Sequence, residues 1–269
     1  MNAVTTTEFI VSADGTRIAF ERTGSGPALV LVDGAMCYRE FGPARSVAAE
    51  LADSYTVYFY DRRGRGESGD TSPYSVQREI EDLRAIIDAT GEIPFVMGQS
   101  SGAALVLEAA ASGVPMRTLA AYESPFVGLR PGKDGKPRDY LAELDGLLAR
   151  GDRGGAVGYF MVDMVGAPRF VPLMMRMMPK AWKQLQAVAH TVPNDARVMG
   201  STFEVPSERF AAIGIPSLIM GGSKSKAEML TAQEKIASAI PGAKHEVLAG
   251  QTHQVSPKAL APPLRAFFA

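Results

Sequence analysis

The chain has 269 residues, a formal net charge of −1, 46% hydrophobic residues and 21% charged residues. That is enough material for one large α/β domain, or for a core carrying an insertion. Both charge signs are interspersed and no apolar run reaches about 18 residues, so neither a nucleic acid nor a membrane is expected as a partner. Cys37 is the single cysteine, which rules out an internal disulfide and fits a reducing compartment. The opening stretch Met1–Glu8 has no basic region followed by an apolar one, so no signal peptide and a cytoplasmic location are expected. The histidines are His190, His245 and His253, with no His-x-x-x-His spacing, so with a single cysteine no protein-built metal site is expected.

In chain order, Phe9–Val11 and Arg17–Glu21 flank an Asp14-Gly15 turn and predict a hairpin. Ala28–Val32 is a continuous apolar run, as a strand covered on both faces requires, and it ends in Asp33-Gly34-Ala35-Met36. A helix is predicted from Pro43 to Leu51, and a further buried strand over Tyr55–Tyr60. The glycine-punctuated loop Asp61–Ser68 follows and reads as structural. Val76, Ile80, Leu83, Ile86 and Ile87 recur at helical spacing before Gly91.

Next comes the apolar run Ile93–Met97, then Gly98-Gln99-Ser100-Ser101-Gly102, then the small-residue helix-forming run Ala103–Ala110. Gly-x-Ser-x-Gly between a strand and a helix is a nucleophile elbow, which strains the serine backbone and turns its hydroxyl outward. The helix N-terminus behind it offers free N–H groups to a developing anion. Leu119–Tyr122 is the sixth strand and ends in Glu123-Ser124. The β-α alternation predicts a mainly parallel sheet with helices on both faces.

From about Val127 to Ser207 no strand is predicted. The segments Asp139–Arg150, Gly155–Val165, Arg169–Met178 and Ala181–His190 read as short helices. This stretch holds Met161, Met164, Met174, Met175, Met177, Met178 and Met199, expected as core filler or as the lining of an apolar pocket. Alternation resumes with a strand at Ser217–Met220, a helix at Ala227–Ile240 and a strand at His245–Leu248. A final helix is expected over Leu260–Phe268, with Pro262 and Pro263 near its first turn.

With these elements in place, the chain resembles the α/β-hydrolase superfamily over nearly its whole length. The resemblance rests on the Asp33-Gly34 loop, the Asp61–Ser68 loop, the elbow at Ser100 and the late Gly250-Gln251-Thr252-His253. It implies an eight-stranded, mainly parallel sheet. It also implies a core of residues 1–126 and 208–269, and a helical cap, 127–207, over the active site. The triad it implies runs in the order serine, acid, histidine. Ser100 is then the nucleophile and His253 the base, while His245 reads as a strand residue and His190 as a surface or cap residue.

The acid departs from the family pattern. The turn after the seventh strand reads Gly221-Gly222-Ser223-Lys224-Ser225-Lys226, with Ser225 where aspartate is expected. Three readings follow: the acid has moved, the triad is a dyad, or the protein is catalytically inactive. Glu123, at the end of the neighbouring sixth strand, favours the first and is the candidate acid. The oxyanion donors are expected to be the backbone N–H groups of Ala35 and Ser101. Asp33 stands where the family commonly has histidine, and is expected to put a carboxylate near the site. Cys37 reads as a small buried residue. The reaction expected is cofactor-free hydrolysis of a small-molecule carboxylic ester or related acyl compound through an acyl-enzyme. The alternatives are lactone or C–C bond hydrolysis, or perhydrolysis, on the same triad, and a non-catalytic ligand-binding protein.

Overall fold

The computed structural model describes residues 6–132 and 135–269. Residues 1–5, part of the stretch that carries the signal-peptide expectation, and residues 133–134, within the expected cap, lie outside the described residues.

Eight strands form one sheet: β1 (Glu8–Val11), β2 (Arg17–Gly24), β3 (Ala28–Val32), β4 (Thr56–Tyr60), β5 (Phe95–Gln99), β6 (Thr118–Tyr122), β7 (Ser217–Gly222) and β8 (Lys244–Leu248). Their order across the sheet is β1-β2-β4-β3-β5-β6-β7-β8. The β1–β2 and β2–β4 pairs are antiparallel and the rest are parallel. Every residue of β3 and β7 is buried, as their unbroken apolar runs predict. β8 is the outer strand, and its Lys244, His245 and Glu246 face solvent, a charged edge that resists pairing with another chain.

The two faces are covered by different helices. On one lie α1 (Ala44–Leu51) and, far along the chain, α11 (Pro257–Phe268), which bury Leu29, Leu31 and Val57. On the other lie α2 (Val76–Ala89), α3 (Ser101–Ala111) and α10 (Ala227–Ala239), whose Leu83, Ile86, Leu105, Val106 and Ile236 share one core with Val30, Val32 and Val96. Each such side chain contributes roughly 1.5–3 kcal/mol by leaving water. The last helix starts at Pro257, three residues before the expected Leu260, so Pro262 and Pro263 fall inside it and not in its first turn. Pro257 is what permits the earlier start. A proline at the first helical position costs no hydrogen bond.

Between β6 and β7 the described chain is helical: α4 (Tyr140–Ala149), α5 (Arg153–Tyr159), a π-helical turn at Phe160–Met164, α6 (Val171–Arg176), α7 (Pro179–Val188), a 3-10 turn at Ala189–Thr191, α8 (Val192–Val198) and α9 (Ser207–Phe210). The helix α8 is one that hydropathy periodicity does not show, since Pro193, Asn194, Asp195 and Arg197 give it a polar reading. Apolar side chains of α4, α5 and α7 pack with Met36, and Ala35, Met161, Met164 and Met175 pack on that cluster partly buried. Of the seven methionines here, Met199 is core. Met174 of α6, and Met177 and Met178 just after it, are instead exposed to solvent. The expectation of core filler therefore fails for those three.

The loop Asp61–Ser68 after β4 is a knot of buried charge. Asp61 accepts from the Arg39 guanidinium at 3.0 Å and from the backbone N–H groups of Arg39 and Glu67. Arg63 pairs with Asp82, and Arg62 with Glu79. No helix among the described residues is long and apolar enough to cross a membrane.

Candidate active site

Five chain segments meet at the C-terminal ends of the parallel strands, where an open α/β sheet places its ligands. Ser100 follows β5 and opens α3, with φ 56° and ψ −127°. Only a turn this sharp lets the strand feed directly into the helix, and it needs room on both sides. A Cβ on Gly98 would collide with the backbone of Gly102 and Ala103. One on Gly102 would collide with Val32 O. The Ser100 N–H is tied to Tyr122 O at 2.9 Å, so the strained residue is anchored to β6.

Glu123 follows β6, also at positive φ (50°), with its N–H bonded to Met220 O of β7. This kink turns its side chain across the end of β7. One carboxylate oxygen, Oε1, accepts from the Gly222 N–H at 2.8 Å and from the Ser225 hydroxyl. The other, Oε2, lies 2.8 Å from His253 Nδ1. The carboxylate is fully buried. Burial alone would raise its pKa, but hydrogen bonds from His253, Ser225 and the Gly222 N–H outweigh it and hold the carboxyl below its ordinary value. The serine at the position where the family expects aspartate thus sits on the glutamate, as a donor. That is a relation the sequence signals only as a missing acid.

His253 lies in the loop between β8 and α11, and its side chain is 41% exposed. Three hydrogen bonds from strand ends hold the loop. Gln99 Nε2 donates to His253 O, the Tyr122 hydroxyl to Thr252 O, and the Lys224 N–H to Gln251 O. The ionised Glu123 can only accept, so the Nδ1 proton points at it and Nε2 is left as an acceptor. That free nitrogen is 3.1 Å from Ser100 Oγ.

The loop Asp33–Cys37 after β3 closes the other side. Gly34 lies flush against the elbow: a Cβ there would be 2.9 Å from Ser100 Cβ. Met36 beside it is a third residue at positive φ (62°), and the Cys37 N–H donates back to Gly34 O at 3.3 Å, so the loop makes a tight turn through Ala35 and Met36. Ser101 is the first residue of α3, where helix N–H groups are unpaired by backbone. Asp33 does not stand as a loose carboxylate near the site. It is buried, and burial raises its pKa to about 7 despite a hydrogen bond from the Ala44 N–H and the nearby charges of Arg65 and Arg62. Burial, with Asp33 adding to it, pushes the Cys37 thiol up to about 12, which leaves it a protonated, unreactive group at neutral pH.

His245 is exposed on β8, and His190 lies 3.5 Å from Asp70; neither reaches Ser100. The structure therefore brings Ser100, His253, Glu123, Ala35 and Ser101 to one place. Asp195, buried on α8 against Ser101, has no signal in the sequence. Among the described residues no group of three or more His, Cys, Asp or Glu side chains could hold a metal ion.

The sequence profile of the alpha/beta hydrolase family matches residues 25–262. The crystal structure of an alpha/beta hydrolase from Sphaerobacter thermophilus DSM 20745 is 49% identical with a TM-score of 0.89, over 97% of this chain and 100% of that one. Over 135 residues, 47% of this chain and 48% of the relative, the chain is 34% identical to the N-formylmaleamate deformylase of Pseudomonas putida. Over 98 residues, 35% of each protein, it is 35% identical to the uncharacterized hydrolase YraK of Bacillus subtilis. The chain spans about a third to a half of the length of these curated relatives.

Proposed function

The chain belongs to the alpha/beta hydrolase family, and from that premise we propose that it is a serine hydrolase cleaving a carboxylic ester or related acyl compound. The observation that carries this reading is the unbroken line from Ser100 Oγ to His253 Nε2 (3.1 Å) and from His253 Nδ1 to Glu123 Oε2 (2.8 Å).

Ser100 Oγ attacks the acyl carbon while His253 Nε2 takes its proton. A free serine hydroxyl is too weak an acid to ionise, so the base must sit within hydrogen-bond reach, as here. The imidazolium that forms faces the buried Glu123, which stabilises it and keeps the ring in the required tautomer. The carbonyl electron pair moves to oxygen, where the N–H groups of Ala35 and Ser101 receive the charge. His253 returns the proton to the leaving group, and the acyl-enzyme remains. Water, activated by the same nitrogen, then releases the acid.

In this reading the helices between β6 and β7 serve as a cap. Their apolar side chains meet Ala35 and Met36 at the oxyanion loop, which favours a substrate with an apolar acyl group. Glu123 takes the acid role because, among the described residues, it is the carboxylate that contacts the histidine. A second reading changes the bond broken. The stretch that is 34% identical to a deformylase favours nitrogen, in place of oxygen, as the leaving atom.

A fluorophosphonate probe tests both readings at their shared step. Covalent labelling of the wild-type protein that Ser100→Ala abolishes is the expected result. Absence of labelling, together with no turnover of p-nitrophenyl esters or N-formyl amides, removes both and leaves a ligand-binding protein on the same fold.

A further inference from the structure

Two of the knot's arginines remain without a role in the chemistry, and their partners are specific. Arg65 is 1% exposed. Its Nη1 donates to Gly34 O at 2.7 Å and to Cys37 O at 3.3 Å, its Nε to Thr191 Oγ1 at 3.1 Å, and its Nη2 to Asp195 Oδ2 at 2.7 Å. Gly34 O and the Ala35 N–H are two ends of one peptide unit. A peptide is planar, so fixing the direction of its carbonyl fixes the direction of its N–H. A cation on the carbonyl also draws density from the amide and makes the N–H a stronger donor, an effect that is largest where water is excluded.

The other donor residue is held by the same carboxylate. Ser101 Oγ donates to Asp195 Oδ1 at 2.7 Å, and Arg62 Nη1 reaches that oxygen at 2.8 Å and Ser101 Oγ at 3.0 Å. Arg62 in turn holds Glu79 through Nε at 2.6 Å and Nη2 at 2.9 Å. Asp195, itself 1% exposed, thus touches with one oxygen the residue that supplies one donor. With the other it touches the guanidinium that holds the second. Two arginines and two carboxylates balance, so the cluster brings no net charge to the site. As a source of stability such a buried cluster is weak, since apolar packing does as well. What apolar side chains cannot do is hold the Gly34–Ala35 peptide unit and the Ser101 side chain by directional hydrogen bonds.

We propose that Arg65 and Asp195 are positioning residues for the oxyanion site, and that through Asp195 the helix α8 couples the helical region to both N–H donors. The proposal rests on the serine hydrolase reading and extends it. Removing one oxyanion donor costs on the order of 10²–10³ in kcat, and misdirecting one costs less. The loss falls on the transition state alone, so KM stays put.

The test uses p-nitrophenyl acetate turnover and inhibition by an aliphatic trifluoromethyl ketone. Ser100 adds to the ketone carbonyl, its proton passes to His253, and the resulting hemiketal oxyanion occupies the same hole. Arg65→Met is expected to lower kcat by about 30-fold and Asp195→Asn by about 10-fold, with KM changed by less than about two-fold. Ketone affinity should fall by matching factors while the pH midpoint of kcat stays in place. Arg65→Lys should recover part of the loss, because an ammonium can still reach Gly34 O or the Asp195 carboxylate.

Folded Arg65→Met and Asp195→Asn proteins that keep kcat within about two-fold would overturn the proposal, as would a kcat loss without a matching loss of ketone affinity. If neither variant folds, Ser101→Ala decides. It removes a single oxygen, and a parallel loss of kcat and ketone affinity supports the proposal while unchanged values overturn it. A wild-type protein without Ser100-dependent turnover shows, before any variant is made, that the serine hydrolase reading is at fault, and the proposal then falls with it.

Discussion

The two halves of the proposed active site are held in opposite ways. The base half, His253 and its loop, is half open to solvent and hangs from neutral hydrogen bonds offered by Gln99, Tyr122 and Lys224. The oxyanion half, Gly34 to Cys37 with Ser101, rests on guanidinium and carboxylate groups buried from water. In the proposed mechanism the difference is functional. A base exchanges protons with substrate, leaving group and water, so it needs access and a little freedom. Donors to a developing oxyanion are effective to the degree that they need no reorganisation when the charge arrives. Glu123 joins the two regimes: a fully buried carboxylate that faces the solvent-exposed histidine.

The comparison is tested most severely at the residue both halves serve. Ser100→Ala should lower kcat for an accepted ester by on the order of 10⁴ or more with little change in melting temperature. A residual rate near wild type would mean the two halves were built around something else. Glu123→Gln should come next, with a loss of about 10²–10⁴ in kcat, because the amide presents the wrong partner to Nδ1 and cannot stabilise the imidazolium. Near-normal turnover with an unchanged pH profile would reduce Glu123 to a strand-end carboxylate.

Ser225→Ala sharpens the base half. Losing a hydrogen bond to a buried charge should cost roughly 1.5–3 kcal/mol of stability at neutral pH, measured by urea unfolding, and a several-fold loss in kcat. The sign with pH follows from Glu123 being held below its ordinary value. The stability this provides is present above the unfolded carboxyl pKa and is lost as pH falls through the folded one. The difference between wild type and variant should therefore shrink in acid. A difference that stays constant with pH would show that Ser225 does not act through the Glu123 charge.

The smallest effect on turnover is expected from Asp33→Asn, in the oxyanion half. Here the folded value is raised, to about 7, so the sign reverses. The unfolded chain ionises first, and wild-type stability should fall as pH rises from the ordinary carboxylate range to about 7, then level off. The asparagine variant lacks this decline, so its melting temperature should exceed wild type at alkaline pH and converge with it in acid. Parallel curves would show that the Asp33 carboxyl is not pushed up by burial.

Much of this molecule is readable before folding is known, wherever one chain segment carries the whole signal. Ala28–Val32 must be a strand covered on both faces because it is apolar throughout. Gly98–Gly102 must turn sharply because its glycines leave room and its flanks are a strand and a helix. Ser225 in place of a carboxylate, with Glu123 ending the adjacent strand, directs attention to the glutamate. The helix at Val192–Val198, by contrast, carries no periodic signal, and its Asp195 reads as an ordinary solvated residue. Tertiary structure alone decided that this carboxylate meets Arg65, 130 residues earlier in the chain, and Ser101, 94 residues earlier. The same holds for the 2.8 Å between Glu123 and His253, and for burial driving the Asp33 carboxyl up to about 7. The physical reason is common to all three. Hydropathy and turn chemistry are properties of neighbours in sequence, whereas the state of a buried charge depends on what the fold places around it.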